Sequence, residues 1–406
     1  MHPLRHGLLI LSFVWASAIL GEKCASAADR PRLDVEAAIK RLDVEGALHG
    51  RKSLCIYDLS ERPVRDLELS YGDVMEADLD LVALLVDLEN LSFVNSVADE
   101  DDADARPKPL PTLSRAGLSR IAGLRKLQSL ELGGFSIRAA DLASLGRLSS
   151  LKSLELMDVR ITSGNLAALE RLQGLESLRL FGTSLTAADL DGLRKLPNLK
   201  SLDLGSLKIT DADLKRLEGL VKLHELSLYG TKITDAGLKS LGTLTGLKRL
   251  DLSYTAIRSV GFDHLAPLLD LEDLDLSGSQ VDDEGLDHMV SLTHLQSLNL
   301  HQTKVAGPGL KGLRNMTKLE DLCLMDTQAT DASLEPLAGL PNLKRLNLVR
   351  TPIGDSGMKI VARMPALEHL DIGGTRVTRA GLGGLSAARP KLYVSADQRI
   401  SQPAEN

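Results

Sequence analysis

Apolar residues recur with a period of 24 along most of this chain. Counted from Leu220, positions 1, 4, 7, 9, 14, 19 and 22 are aliphatic, and the same frame starts at 124, 148, 172, 196, 220, 244, 268, 292, 316, 340 and 364. Positions 7 and 9 alternate with polar residues, which predicts a short strand with one buried face. Positions 19 and 22 and the next position 1 are three residues apart, which predicts a short helix packed over the strand.

One such repeat buries too few side chains to offset the conformational entropy of 24 ordered residues. Stability therefore requires stacked neighbours, which cover the open faces and pair the strand edges. The predicted fold is an α/β solenoid with a parallel sheet on one side and short helices on the other. Because helices are wider than strands, we expect the stack to curve into a horseshoe, with the sheet on the concave face and the helices on the convex face.

The pattern LxxLxLxxTxI, followed by ITDAGLxxL, resembles the leucine-rich repeat. It is similar to the 24-residue bacterial variety and akin to ribonuclease-inhibitor-like and F-box-associated repeats. The resemblance implies about 13 repeats and a fold that hosts many functions. Where the family carries Asn after the strand, this chain carries a hydroxyl residue at position 12, and Phe135, Val159 and Leu207 interrupt that series. The hydroxyl residues are Thr183, Thr231, Thr255, Ser279, Thr303, Thr327, Thr351 and Thr375.

The predicted domain organisation has four parts. Residues 1–28 read as a signal peptide, 29–60 as an N-terminal cap, 61–389 as the solenoid and 390–406 as a final strand and tail. Two irregular repeats start at 61 and 85, and the second resumes 15 residues late at Leu113. The extra segment, 98–112, is acidic and proline-rich, so it is excluded from the core. A solvated loop, a docking loop and a calcium site remain as alternatives for it.

The N-terminus predicts export from the cytoplasm. A basic start at Arg5 precedes the apolar run of residues 7–20, and a small-residue region follows it at 24–28. The run is short for a membrane-spanning helix, and no later segment has the character of one. A secreted or periplasmic location follows if the signal is cleaved. An uncleaved anchor and a soluble N-terminal arm are the alternatives.

Cysteine use is compatible with a monomer. Cleavage at the predicted site leaves Cys55, in the N-terminal cap, and Cys323, in the ninth regular repeat. Neighbouring repeats are at least about 4.8 Å apart, so these thiols lie too far apart for an intrachain disulfide. An unreactive Cys55 is the favoured reading, and a Cys55-linked dimer is the alternative.

Candidate ligand-contacting residues follow from the columns of the repeat. Strand positions 6, 8 and 10 are expected to face the concave surface, and positions 11 and 12 to line its rim. Position 8 is acidic in seven of thirteen repeats; the acids singled out for binding are Glu131, Glu155, Asp203, Asp251 and Asp275. These carboxylates would attract a basic partner. The alternative is that acids at this position bond across neighbouring strands as part of the repeat.

Aromatic and methionine side chains occupy the same predicted surface. The binding candidates are Phe135, Met157, Phe181, Tyr229 and Tyr254. Exposed aromatic residues within a polar frame are typical of protein-binding hot spots. The alternative is that rim aromatics fold over the turns and cover backbone.

Other functions are disfavoured by the sequence. The net charge of −7 and the mixed signs argue against a nucleic-acid surface. We find no nucleophile elbow, phosphate loop or metal motif, and His301 and Cys323 are offset on adjacent strands, so neither an enzyme nor a cofactor is predicted. The expected function is a non-catalytic scaffold that binds another protein. Carbohydrate binding and self-association in the cell envelope are the alternatives.

Overall fold

The computed structural model describes residues 64–70, 76, 79–95, 110–162, 166–185 and 187–396. The predicted signal peptide, the N-terminal cap with Cys55, most of the acidic segment and the polar tail lie outside these residues. The chain divides into two compact units, Met1–Asn198 and Leu199–Asn406. Within the described residues, no helix combines the length and hydrophobicity that a membrane crossing requires.

Both units consist of parallel strands that follow one another in chain order. The first unit contributes β1 (Asp66–Ser70), β2 (Asn90–Val94), β3 (Ser129–Gly133), β5 (Ser153–Met157) and β7 (Ser177–Arg179). A separate two-stranded sheet there pairs β4 (Ser136–Arg138) with β6 (Arg160–Thr162). The second unit contributes β8 (Ser201–Asp203), β9 (Glu225–Ser227), β10 (Arg249–Asp251), β11 (Asp273–Asp275), β12 (Ser297–Asn299), β13 (Asp321–Cys323), β14 (Arg345–Asn347), β15 (His369–Asp371) and β16 (Tyr393–Ser395).

Short helices alternate with these strands, as the spacing of apolar residues predicted. The α-helices span Leu79–Val82, Arg115–Ile121, Asp211–Leu214, Leu238–Leu241, Asp283–Asp287, Asp355–Val361 and Arg379–Ala388. The 3₁₀ helices span Ala139–Arg147, Leu166–Arg171, Ala187–Lys195, Asp235–Gly237, Phe262–Leu265, Pro308–Asn315 and Asp331–Gly339. Leucines of strands and helices form the core of each unit; Leu226, Leu228, Leu238 and Leu241 are at most 2% exposed. The predicted α/β solenoid of stacked repeats is confirmed.

Strand pairing reproduces the sequence period. Leu250 pairs with Leu274 and Leu274 with Leu298, each 24 residues apart. Leu91 pairs with Leu130, an offset of 39 residues, which is 24 plus 15. The sheet of the first unit therefore keeps its register across the acidic segment, and the additional 15 residues leave the strand spacing unchanged.

A hydrogen-bond ladder joins the helix of one repeat to the turn of the next. An acid at position 16 accepts the backbone N–H of position 15 in the following repeat, as from Asp211 to Thr234 (2.8 Å) and from Asp331 to Gly354 (2.7 Å). We expected Thr234 and Asp235 to cap their own helix. Thr234 does so by accepting the N–H of Ala236, whereas Asp235 accepts the N–H of Arg258 in the next repeat.

The hydroxyl series at position 12 forms a second set of bonds. Each of these side chains donates to the carbonyl of position 9 in its own repeat; Thr303, for example, lies 2.7 Å from the carbonyl of Leu300. The bond recurs at Thr183, Thr231, Thr255, Ser279, Thr327, Thr351 and Thr375. The expectation that a hydroxyl replaces the family's amide at this turn is confirmed by the geometry.

Position 11 has a left-handed backbone in all eleven regular repeats. Five repeats place glycine there, but Asp158, Ser206, Tyr254, Gln302, Asp326 and Arg350 have φ between 51° and 59°. Only glycine adopts this conformation without steric cost, and a left-handed non-glycine residue loses about 1–2 kcal/mol. The turn after the strand is therefore imposed by the repeat, including at residues that resist it.

Replacing Ser206 with glycine tests this imposed turn. Ser206 is exposed and has a φ of 59°, so Ser206→Gly should raise the free energy of unfolding by about 0.5–1 kcal/mol in urea titrations. Lys208→Gly is the matched control, because Lys208 is exposed but lies outside the left-handed region; it should lower stability by a similar amount. Equal effects of the two substitutions would contradict the strain.

The ladder at position 16 predicts a pH dependence. The backbone N–H and the hydroxyl of Thr378, at 2.8 Å and 2.7 Å, hold the pKa of Asp355 below its ordinary value. A depressed carboxyl pKa stabilises the fold above the unfolded-state pKa, and this stabilisation is lost as the pH falls through the folded-state value. Asp355→Asn should therefore be less stable than the native chain at pH 7, with a gap that narrows toward pH 3. A gap in urea midpoints that is constant with pH would rule out this contribution.

Candidate functional site

The accessible side chains of the strands form what we call the open face of each unit, namely positions 6, 8 and 10. In β9 the central Leu226 is buried, while Glu225 and Ser227 on either side are partly exposed. The same alternation recurs in the other strands because successive side chains point to opposite faces. Of the binding candidates, the open face carries Glu131, Glu155, Met157, Phe181, Asp203, Tyr229, Asp251 and Asp275.

The prediction that Phe135 is an exposed binding residue is wrong. Phe135 is only 1% exposed, and its ring stacks on that of Phe93 with centroids 5.2 Å apart. Val159 and Leu207, the other apolar residues at position 12, are also buried. The left-handed residue at position 11 turns the chain so that position 12 points back into the core, and the rim therefore excludes this column.

Two tyrosines on neighbouring repeats of the second unit form an exposed aromatic pair. Tyr229 is 37% exposed and Tyr254 is 49% exposed, and their rings meet edge to face with centroids 5.4 Å apart. Tyr229 lies at position 10, on the open face. Tyr254 lies at the left-handed position 11, a conformation that is unusual for a bulky residue. The sequence correctly placed both at an accessible surface but did not indicate their mutual contact.

The ring of Tyr254 extends over the two repeats that follow it. A Cβ atom at Gly278 would lie 2.7–3.0 Å from three atoms of this ring, so the ring rests directly on the glycine backbone. The Tyr254 hydroxyl is 3.4 Å from Oε1 of Gln302, at position 11 of the repeat after Gly278. One edge of the ring is thus anchored, and half of the side chain remains open to solvent.

The acids at position 8 in the second unit have a structural role. One carboxylate oxygen of Asp203, Asp251 and Asp275 accepts the backbone N–H two residues later, at 2.8–2.9 Å. The other oxygen of Asp251 accepts the Ser227 hydroxyl, and that of Asp275 accepts the Asn299 amide, both at 3.0 Å across neighbouring strands. These bonds match the alternative interpretation of the acidic column, in which the acids serve the repeat. The carboxylates nevertheless retain their charge and partial exposure.

Neutralisation of the acids differs between positions. In the first unit, Glu155 pairs with Arg179 at 3.2 Å. In the second unit, Glu225 pairs with Arg249 and Asp321 with Arg345. Among the residues that the structure describes there, Asp251, Asp273 and Asp275 lie on two adjacent strands and form no ion pair.

Asp273 is a member of this group that the reading of position 8 alone missed. It lies at position 6 of β11, two residues before Asp275. Burial, reinforced by the charges of Asp275 and Asp321, raises the pKa of Asp273, against the Ser297 hydroxyl and Arg249, which lower it. The raised pKa reports excess negative charge at the middle of this open face. Comparing position 6 with position 8 in the sequence would have revealed the crowding.

A charged cluster at position 11 was also missed. Arg350 forms a two-pronged ion pair with Asp326, and this hydrogen bonding lowers the pKa of Asp326. Nδ1 of His301 lies 3.2 Å from the carbonyl oxygen of Met325 and 3.5 Å from Oδ2 of Asp326. Opposite charges exactly one repeat apart at the same position were the available signal.

The arrangement around Cys323 offers little for nucleophilic chemistry. Cys323 is half-buried in β13, and burial raises the pKa of its thiol, which disfavours the reactive thiolate. The adjacent His301 directs Nδ1 to the Met325 carbonyl and Asp326. Among the described residues, no group of three or more His, Cys, Asp or Glu side chains is arranged to hold a metal ion.

Comparisons with known proteins identify the repeat. A family model described as Leucine Rich repeat matches residues 220–242, 270–288 and 339–362. A comparison with curated proteins gives no significant match.

Two solved bacterial structures share the fold. An internalin from Listeria monocytogenes has 22% identity and a TM-score of 0.57, with 82% of this chain and 86% of the internalin covered. A leucine-rich repeat protein from Leptospira interrogans has 18% identity and a TM-score of 0.52, with 82% and 90% covered. Together with the observed 24-residue repeat of strand and helix, these matches show that the chain belongs to the leucine-rich repeat family.

Proposed function

We propose that this chain is a non-catalytic scaffold of the cell envelope or exterior that binds a protein partner on the open face of its sheet. The exposed pair of Tyr229 and Tyr254 is the observation that carries the proposal. Aromatic side chains supply much of the binding energy at protein interfaces, because they bury a large area at a small entropic cost. A secreted or periplasmic site of action rests on the signal-like sequence at residues 1–28.

The remaining candidates extend this surface without being equivalent. Met157 and Phe181 are half-buried at position 10 in the first unit, and they offer apolar contact area. In the second unit, Asp251 and Asp275 would favour a basic partner through long-range attraction, which acts mainly on the rate of association. The acids therefore support selectivity, and the aromatic residues support affinity.

Carbohydrate binding is the second candidate function. The flat ring of Tyr254 beside the amide of Gln302 favours it, since sugars stack on aromatic faces and bond to amides at their edges. A glycan ligand would make little use of the unneutralised aspartates. Protein binding is therefore the stronger proposal.

The proposal predicts a loss of affinity on truncation of the open face. Phe181→Ala combined with Tyr229→Ala should abolish capture of the partner from envelope extracts, and Tyr229→Ala alone should weaken the purified partner by about 30-fold, as for a hot spot of about 2 kcal/mol. Interferometry with the immobilised chain would measure the dissociation constant. The folded state is checked by circular dichroism.

Val260→Ala is the matched control. Val260 is 78% exposed and lies just before the helix Phe262–Leu265, away from the strands. Its truncation should leave affinity unchanged. Retained capture by the double variant, or an equal loss in the control, would contradict binding at the open face. Binding of glycans in an array, without a protein partner, would favour the second candidate.

A further inference from the structure

Tyr254 combines an unfavourable backbone conformation with an exposed ring. Its φ of 53° lies in the region that five sister repeats assign to glycine. Bulky residues are rare there, and strained residues cluster at functional sites. The ring does not gain burial in exchange, because 49% of the residue is exposed. The conformational cost is thus not offset by packing of the ring into the core.

The surroundings of the tyrosine pair are negatively charged. Asp251 accepts the hydroxyls of Ser227 and Ser253, the residues that precede Tyr229 by two and Tyr254 by one. Asp273 and Asp275 follow on the adjacent strand, and no ion pair among the described residues neutralises the three acids. We call these five residues, Tyr229, Tyr254, Asp251, Asp273 and Asp275, the tyrosine–aspartate patch.

We propose that the tyrosine–aspartate patch binds an arginine side chain presented by the protein partner. This inference rests on the proposed function and names the chemistry that its second unit would recognise. A planar guanidinium stacks on the negative face of an aromatic ring and carries five N–H donors. The patch supplies both an open ring face and acceptors only, in the form of carboxylates and Oε1 of Gln302.

The same features disfavour other occupants of the patch. An acidic or phosphorylated ligand would be repelled by the three carboxylates. A neutral ligand would leave their charge uncompensated on binding, and a lysine would lack the planar shape that stacks on the ring. Arginine satisfies the ring and the carboxylates together.

Small defined probes test the assignment on the full chain. N-acetyl-arginine-methylamide is titrated against the chain labelled with ¹³C-tyrosine, and the ring resonances of Tyr229 and Tyr254 are assigned with Tyr→Phe variants. N-acetyl-citrulline-methylamide is the matched probe, since it keeps the shape but lacks the charge. We expect the arginine probe to shift both rings and to bind at least about 5-fold more tightly than citrulline. Added salt should weaken it.

Two variants separate binding from folding. Tyr254→Gly removes the ring and relieves the left-handed strain, so it should weaken the arginine probe roughly 2- to 30-fold while the thermal midpoint is maintained or rises. Asp251→Asn with Asp275→Asn removes two charges but keeps the turn acceptor, because Asn299 and Asn347 make the same bond in sister repeats. This pair should abolish the salt dependence and the preference over citrulline.

Equal binding of the arginine and citrulline probes would overturn the inference, as would arginine binding that neither variant weakens. A neutral oligosaccharide such as chitohexaose that shifts both rings when arginine does not would assign the patch to carbohydrate. The proposed function fails separately. If Tyr229→Ala releases the natural partner while the arginine probe does not bind, the scaffold proposal stands and the arginine assignment is wrong.

Discussion

The left-handed turn at position 11 is the constraint on which the rest of each repeat depends. It follows the strand directly, so it decides which side chains leave the sheet and which return to the core. Position 12 is sent inward, where a threonine hydroxyl bonds the carbonyl of position 9 or an apolar residue such as Phe135 packs. Positions 10 and 11 are left at the surface. The same backbone geometry thereby sets both the core and the pattern of exposed residues.

Most of the fold could be predicted from the sequence because it follows from a strict period. Leucine spacing identified the strand and the helix, and the 15-residue delay at Leu113 matches the offset of 39 between Leu91 and Leu130. Exposure at the end of the strand was harder to predict. Phe135 and Tyr254 are one column apart, yet the first is buried and the second is half exposed. Apolar character alone does not distinguish them, because the backbone angle at position 11 decides the outcome.

Charge was predicted less well than hydrophobicity for a related reason. A carboxylate at position 8 is at once a turn acceptor, a partner across strands and a source of field. Which of these dominates depends on the cation one repeat away: Glu225 has Arg249 as its counterpart, and Asp251 has none among the described residues. The column has to be read together with its neighbours at position 6, where Asp273 and Arg249 alter the local balance.

The repeat that begins at residue 85 shows how separable the surface loops are from the solenoid. Glu76 accepts the backbone N–H of Ser114 at 2.9 Å, the same bond that other repeats form without an insertion. The register is restored on the far side by this bond and by the pairing of β2 with β3. Because loop closure entropy grows only slowly with length, at about 0.6 kcal/mol for each doubling, this turn is a natural grafting port. Segments of different length and sequence can be accommodated there while the leucine core keeps its spacing, so the site is suited to the evolution or engineering of new specificity.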